Sequence, residues 1–231
     1  MAELFRDRAL VLRAQDHAET DRIVSVLSEN RGQLEILVKG ARRIERSWGA
    51  ILDILNLAEI IYYRRRSGLH LLREAWLIQD FPGLRVDLPR LEAGLILTRW
   101  ARELVPHEFP DPRPFRLTLN FLRALEEGGA PEVLLRAYEL RLLSLLGYRP
   151  VLNGCLSCGG KEGLTWAADR GGLLCRKCGG SGEEVPSRVW NTMGAMLRLS
   201  MPALLRLRIP EDDLNTMDSL IHAFRAVQLA R

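Results

Sequence analysis

The sequence predicts an α+β protein. A small N-terminal β-barrel over residues 1–80 precedes an α-helical domain over residues 81–231, and a compact four-cysteine module interrupts that domain at about residues 150–182. Three observations carry this expectation. Strand-like alternation of apolar and polar residues ends near Asp80-Phe81-Pro82-Gly83, and helical spacing replaces it. Helix-start prolines appear beyond that point, at Leu88-Pro89 and Pro131-Glu132. All four cysteines of the chain fall in one stretch with helical patterns on both sides.

The strand region begins with Ala9-Leu10-Val11-Leu12, followed by Arg22 to Leu27. Asn30-Arg31-Gly32 turns the chain, and Leu34, Ile36 and Val38 then alternate with Glu35 and Lys39, the period-2 pattern of a half-buried strand. A polar loop runs from Gly40 to Ser47. Further strands are expected over Ala58–Tyr63 and, after the Ser67-Gly68 turn, Leu69–Ala75. About five strands in roughly 75 residues suit a small closed barrel such as the OB-fold; an SH3-like barrel or a meander fits the same pattern.

Helices are expected from Leu88 to about Val105, from about Phe115 to Glu127, and from Pro131 to Leu146, where Gly147 ends the run. Between the first two, four prolines over Pro106–Pro114 demand a loop. The helical pattern resumes over Val189–Met201, and Glu211-Asp212-Asp213 opens the last helix with charges that complement its dipole. Helices on both sides make the cysteine module a docked insertion and not a free finger.

Within the module, Cys155-Leu156-Ser157-Cys158 and Cys175-Arg176-Lys177-Cys178 read C-x2-C-x16-C-x2-C. This spacing falls within the range of four-thiolate zinc sites. Two such turns complete the tetrahedron that zinc prefers and leave no position open for water or substrate, so one structural Zn2+ is expected. Two disulfides would suit an oxidising compartment, but Met1 to Asp7 is charged with no apolar run behind it, unlike a signal peptide. A redox CxxC ordinarily occurs singly. A cytoplasmic location follows as the expectation.

Composition narrows the function classes. The 231 residues are 47% hydrophobic and 27% charged, with a formal net charge of +4, as in soluble globular proteins. No apolar run reaches the ~18 residues of a membrane span. A phosphate-binding GxxxxGK[ST] loop, HExxH, GxSxG and GxGxxG before a helix are all absent. The deaminase signature is missing too, and His17, His70, His107 and His222 are scattered. The expectation is therefore a protein that is not an enzyme.

Basic residues cluster. Lys39, Arg42, Arg43 and Arg46 lie within eight residues, and Arg64-Arg65-Arg66 ends the next long strand. Both groups fall at strand ends or in loops, where separate segments can converge on one groove. Trp48, Tyr62 and Tyr63 lie between them. Cations with aromatic platforms suit single-stranded nucleic acid, phosphates meeting arginine and bases stacking on rings. For each aromatic, packing in the barrel core is the competing use and the one expected. Arg170, Arg176 and Lys177 extend the basic surface onto the module as a weaker expectation.

Several of these segments together resemble the RecO family of bacterial DNA repair proteins. They are Glu19 to Leu27, then Gly32 and Val38-Lys39-Gly40-Ala41-Arg42-Arg43; Tyr138 to Leu143, then Leu146-Gly147-Tyr148-Arg149-Pro150 leading into Cys155-Leu156-Ser157-Cys158-Gly159; and Gly171-Gly172-Leu173-Leu174-Cys175. The resemblance is collinear from about Arg8 to Cys178. It departs at Ile51-Leu52-Asp53-Ile54-Leu55, where the family often carries an aromatic or proline-containing segment, and the four cysteines mark a zinc-bearing branch. The resemblance implies an N-terminal OB domain joined to a helical domain with a zinc ribbon. It also implies a recombination mediator that binds single- and double-stranded DNA and anneals complementary strands. Such a protein works with RecR to help RecA replace single-strand-binding protein, in the bacterial cytoplasm at the nucleoid. By position, Lys39, Arg42 and Arg43 match the family's basic turn; Arg46, Arg64, Arg65 and Arg66 rest on charge alone. The apolar face of the third helix is available to RecR or to the single-strand-binding protein, with core packing the expected use. The competing readings are a zinc-ribbon RNA-binding protein and a protein-bridging scaffold.

Overall fold

The computed structural model describes residues 3–41, 48–65 and 69–229. They divide into two compact units, Met1–Gly128 and Gly129–Arg231.

The first unit is built on strands β1 (Glu3–His17), β2 (Asp21–Ser28), β3 (Gly32–Val38), β4 (Leu57–Arg64) and β5 (Leu69–Gln79), with a four-residue helix α1 (Trp48–Ile51) between β3 and β4. They close into a barrel in the order β1-β2-β3-β5-β4. All neighbours are antiparallel except β3 and β5, where Glu35, Ile36 and Leu37 face Leu69, His70 and Leu71 in parallel. This is the OB arrangement, and it removes the exposed edges that a meander would leave. Alternate residues of each strand fill the interior, among them Ala9, Val11, Val24, Val26, Ile36, Val38, Ile60 and Tyr62.

β1 is far longer than the expected run at Ala9–Leu12. Its first half pairs with β4 and its second half with β2, with a bulge between Val11 and Arg13 where it bends from one partner to the other. The first half is charged and mostly exposed, so apolar alternation did not signal it; backbone pairing holds it, reinforced by Arg6 and Glu59 at 2.8 Å. At the β2–β3 turn Gly32 has φ +68°, and a Cβ there would stand 2.6 Å from the Phe109 carbonyl oxygen. Only glycine fits.

Helices α2 (Pro82–Arg85), α3 (Leu88–Leu104) and α4 (Arg113–Glu126) complete this unit. Asp87 caps α3 by accepting from the Arg90 N–H at 3.1 Å, and Pro89 sits in the first turn. α3 packs on β1 and β2, whose Leu10, Leu12 and Leu27 are buried although they alternate with the barrel-filling residues. Three helices thus cluster with the barrel in one compact unit. α4 starts two residues before the expected Phe115, with Pro114 in its first turn.

The second unit holds α5 (Pro131–Leu145), the ribbon β6 (Leu164–Ala167) and β7 (Gly172–Cys175), a 3-10 turn at Arg176–Cys178, and α6 (Ser187–Met196), α7 (Met201–Arg206) and α8 (Glu211–Leu229). α5 buries Val133, Leu134, Leu135, Tyr138, Leu142 and Leu143 against the other helices. Its apolar face is therefore core. The helix expected over Val189–Met201 is broken at Leu197–Ser200. The Arg141 guanidinium donates to the Met196 carbonyl at 2.8 Å and also to Leu199, taking carbonyls that a continuous helix would use, and Ser200 with Pro202 restarts the helix. Arg188 bridges α6 to Asp213 in the first turn of α8, at 2.8 and 2.9 Å.

Glu139 is fully buried on α5 and pairs with Arg136 at 3.1 Å; Arg136 also meets Asp218 of α8. Arg136→Ala would take this cation away from a buried carboxylate, and should destabilise the protein by about 3 kcal/mol or more. The urea midpoint measures this, and adding Glu139→Leu should restore most of the loss.

Candidate metal centre and nucleic-acid interface

The cysteine module folds as two tight turns set against the β6–β7 hairpin. In the first, the Gly159 N–H donates to the Cys155 carbonyl at 2.9 Å; in the second, the Gly180 N–H donates to the Cys175 carbonyl at 3.0 Å. Gly154, at φ +147°, lies so close to the first turn that a Cβ would stand 2.7 Å from the Gly159 oxygen. The turns face one another and bring all four sulfurs within 4.8 Å. Cys158 and Cys175 Sγ are 3.8 Å apart, whereas a disulfide needs about 2.05 Å. A metal–sulfur bond of about 2.3 Å sets the edge of a tetrahedron at about 3.8 Å, so the donor set fits one tetrahedral ion.

Backbone amides tune the sulfurs. The Cys175 N–H donates to Cys155 Sγ at 3.4 Å and, with the amides of Cys158 and Ser157, pushes the Cys155 thiol down to about 6. Contacts with the Cys175 and Cys158 sulfurs push Cys178 up to about 12. Four crowded sulfurs resist joint ionisation until a cation neutralises them. The module is docked on its own unit: the rings of Trp166 and Phe224 lie 5.8 Å apart, and Gln228 donates to the Ala168 carbonyl at 3.0 Å.

The expected nucleic-acid contacts separate into two places on the barrel. Lys39 is exposed just beyond the last residue of β3. The turn that carries it is pinned by Asp21, which accepts from the Gly40 N–H at 2.8 Å; this bond holds the Asp21 carboxyl below its ordinary range. Arg64 ends β4 and is paired with Glu108 of the α3–α4 loop, and Arg65 is exposed beside it. Tyr63 faces Leu71, which faces Leu37, so Arg65 stands level with about Glu35. Lys39 lies four residues further, about 13 Å along the strand. Arg42, Arg43, Arg46 and Arg66 lie outside the described residues.

Of the three aromatics, Tyr62 is fully buried, stacks on Phe5 at 5.9 Å and has its hydroxyl pushed up to about 12 by burial. Trp48 packs partly buried against the barrel core. Tyr63, on the opposite face of β4, is half-buried. Sequence reasoning passed over Arg31, whose guanidinium lies 3.8 Å from the Phe5 ring centroid. It also passed over a cleft of about 650 Å³ on the β2–β3 side, lined by Ile23, Glu35, Leu69, His70 and Glu108 among others. No local pattern announces either, since each joins distant segments.

His70 ties the Arg64-Arg65 strand end to the barrel. It is 1% exposed, lies 5.4 Å from the Tyr62 ring, and accepts from the Arg65 N–H through Nδ1 at 3.2 Å. Burial holds its imidazole below the ordinary range, against the pull of Glu108. The unfolded chain takes up this proton near pH 6.5 while the folded chain resists it, so stability should fall as pH drops below about 6.5. His70→Asn can still accept from Arg65. In urea unfolding at pH 7.5 and 5.5, this variant should lose part of the pH dependence; equal dependence in both proteins would place the effect elsewhere.

A closed OB barrel, a helical unit and a docked four-cysteine module whose sulfurs fit one tetrahedral ion define the class of this chain. Residues 1–81 match the family described as Recombination protein O N terminal, and residues 85–231 match Recombination protein O C terminal. The chain belongs to the RecO family. It is 35% identical over 192 residues to a DNA repair protein RecO of Pelobacter propionicus, covering 82% of this chain and 77% of the relative. It is also 35% identical to one of Rubrobacter xylanophilus, covering 76% and 71%, and 32% identical to one of Symbiobacterium thermophilum, covering 87% and 77%. Among the described residues no helix is long and apolar enough to cross a membrane.

Proposed function

We propose that this chain is a DNA-binding recombination mediator of DNA repair. It binds single- and double-stranded DNA, anneals complementary strands, and acts with RecR to help RecA load onto DNA coated by single-strand-binding protein. The observation that carries the reading is an OB barrel with basic strand ends in a chain matched by both RecO family halves. The activity is not enzymatic. Two strands repel through their phosphates, and cations that neutralise both lower that barrier without fuel. Lys39, Arg42, Arg43, Arg46, Arg64, Arg65 and Arg66 are the proposed phosphate contacts. The bacterial cytoplasm, at the nucleoid, is the proposed location.

Cys155, Cys158, Cys175 and Cys178 would hold one Zn2+. When bound, the ion supplies structural cross-linking and charge neutralisation, since four thiolates fill its coordination shell. The chain's own part is to present four sulfurs on two amide-braced turns and to seat the ribbon on α8.

The test is a time course of annealing between complementary oligonucleotides coated with single-strand-binding protein, without ATP, at several salt concentrations. Rapid, salt-sensitive duplex formation supports the mediator reading. No acceleration by the folded, zinc-loaded protein would overturn it in favour of RNA binding or protein bridging.

A further inference from the structure

The helical unit contains a cleft of about 500 Å³ between the cysteine module and α6. Three cations from separate segments line it: Arg149 after α5, Lys161 beyond the first cysteine turn, and Arg198 after α6. Asn153 and Asn191 add two side-chain amides, and no carboxylate lines the cleft.

Several arginines elsewhere are neutralised by ion pairs. Arg6, Arg8, Arg22, Arg64, Arg113, Arg136 and Arg188 each hold a carboxylate. Arg149, Lys161 and Arg198 form no ion pair among the described residues, and the Asn153 and Asn191 side chains make no hydrogen bond there. Three like charges gathered in one concavity raise the local potential and concentrate anions. Two planar guanidiniums and two amides are donors suited to phosphate oxygens.

The floor discriminates between anions. Trp190 is only 6% exposed, so little of the indole is open to a ligand. Gly194 contributes no side chain, and Leu152 stands 3.7 Å from where a Cβ would be. The apolar lining is modest, Pro150, Val151 and Leu197 beside the mostly buried Trp190, whereas an acidic peptide binds well through large anchors such as Trp or Tyr in a deep pocket. A phosphodiester chain needs only the cationic rim.

The geometry points to a second nucleic-acid site: this cleft binds the phosphate backbone of a strand other than the one held at the barrel. The inference rests on the proposed DNA-binding reading and deepens it, because a protein that holds two strands at once brings them together for annealing. The site was invisible to motif reading, since Arg149 and Arg198 are 49 positions apart and neither lies in a charge run.

The test uses the full chain with Arg149→Glu and Arg198→Glu together, both exposed positions. A second variant, Asn191→Glu, adds a carboxylate to the cleft without removing a cation. Strand stoichiometry is read by titrating two non-complementary labelled oligonucleotides, and annealing is timed as above. In both variants the number of strands bound should fall from two to one, and annealing should slow by roughly tenfold or more. Binding of the first strand should stay within about twofold. Folded variants that still bind two strands and anneal at the wild-type rate would overturn the inference alone. A wild-type protein that binds no DNA would overturn the mediator reading and this one with it. Unchanged strand binding with loss of an aspartate-rich peptide would reassign the cleft to protein.

Discussion

Replacing Cys155 with serine should strip the metal from the module and lower the thermal midpoint by roughly 10 °C or more. Serine is nearly isosteric with cysteine, so the change tests ligation and not packing. Cys155 is the most constrained of the four: it is 4% exposed, its sulfur accepts from the Cys175 N–H, and its carbonyl accepts from Gly159. Losing it leaves three thiolates crowded without a complete shell around their cation. The damage should reach beyond the module, because Trp166 and Ala168 anchor the ribbon to α8 through Phe224 and Gln228. Metal content by elemental analysis and thermal unfolding by circular dichroism measure both effects. A variant with full thermal stability and no metal would end the structural-zinc reading. A chelator strong enough to remove the ion from the wild-type protein should reproduce the variant's curve.

The second large effect is on DNA. Arg42→Ala with Arg43→Ala should weaken single-strand binding by roughly tenfold or more and reduce the salt slope by about 1.4, at 0.7 per phosphate contact. The prediction follows from the resemblance of Lys39-Gly40-Ala41-Arg42-Arg43 to the family's basic turn and from the exposed Lys39 at its start. The slope separates the mechanisms: loss of a phosphate contact flattens it, whereas general loss of folded protein lowers the apparent active fraction and leaves it alone. Unchanged affinity and slope would refute the assignment. Arg64 is a weaker place to test, since Glu108 already neutralises it.

Much of the fold was legible because its signals are local. Leu34, Ile36 and Val38 alternate because the barrel buries one face of β3. Pro89 and Pro131 mark helix starts because a first-turn proline gives up no hydrogen bond; Pro114, read as the end of a loop, does the same for α4. The first half of β1 escaped because it is held by pairing with β4 and not by a buried face. The break after α6 escaped because Arg141, more than fifty residues away in sequence, takes the helix-end carbonyls; the local trace was only Ser200 followed by Pro202. Tyr62 and Trp48 lie between two basic runs in sequence, yet both pack on the barrel core. Sequence adjacency to arginine carried no information about direction along the strand.

The amino-acid sequence by itself determined the four-cysteine cluster, the strand and helix classes, and the family. A CxxC turn, a helix cap and an alternating strand are each written within a few residues, and their chemistry does not depend on what lies across the molecule. Tertiary structure alone decided that β3 and β5 close the barrel in parallel, that Glu108 neutralises Arg64, and that Arg149, Lys161 and Arg198 share one cleft. Those outcomes depend on which distant segments meet. A charge acquires its role from the neighbours that folding brings within a few ångströms, where Coulomb interactions and hydrogen bonds act.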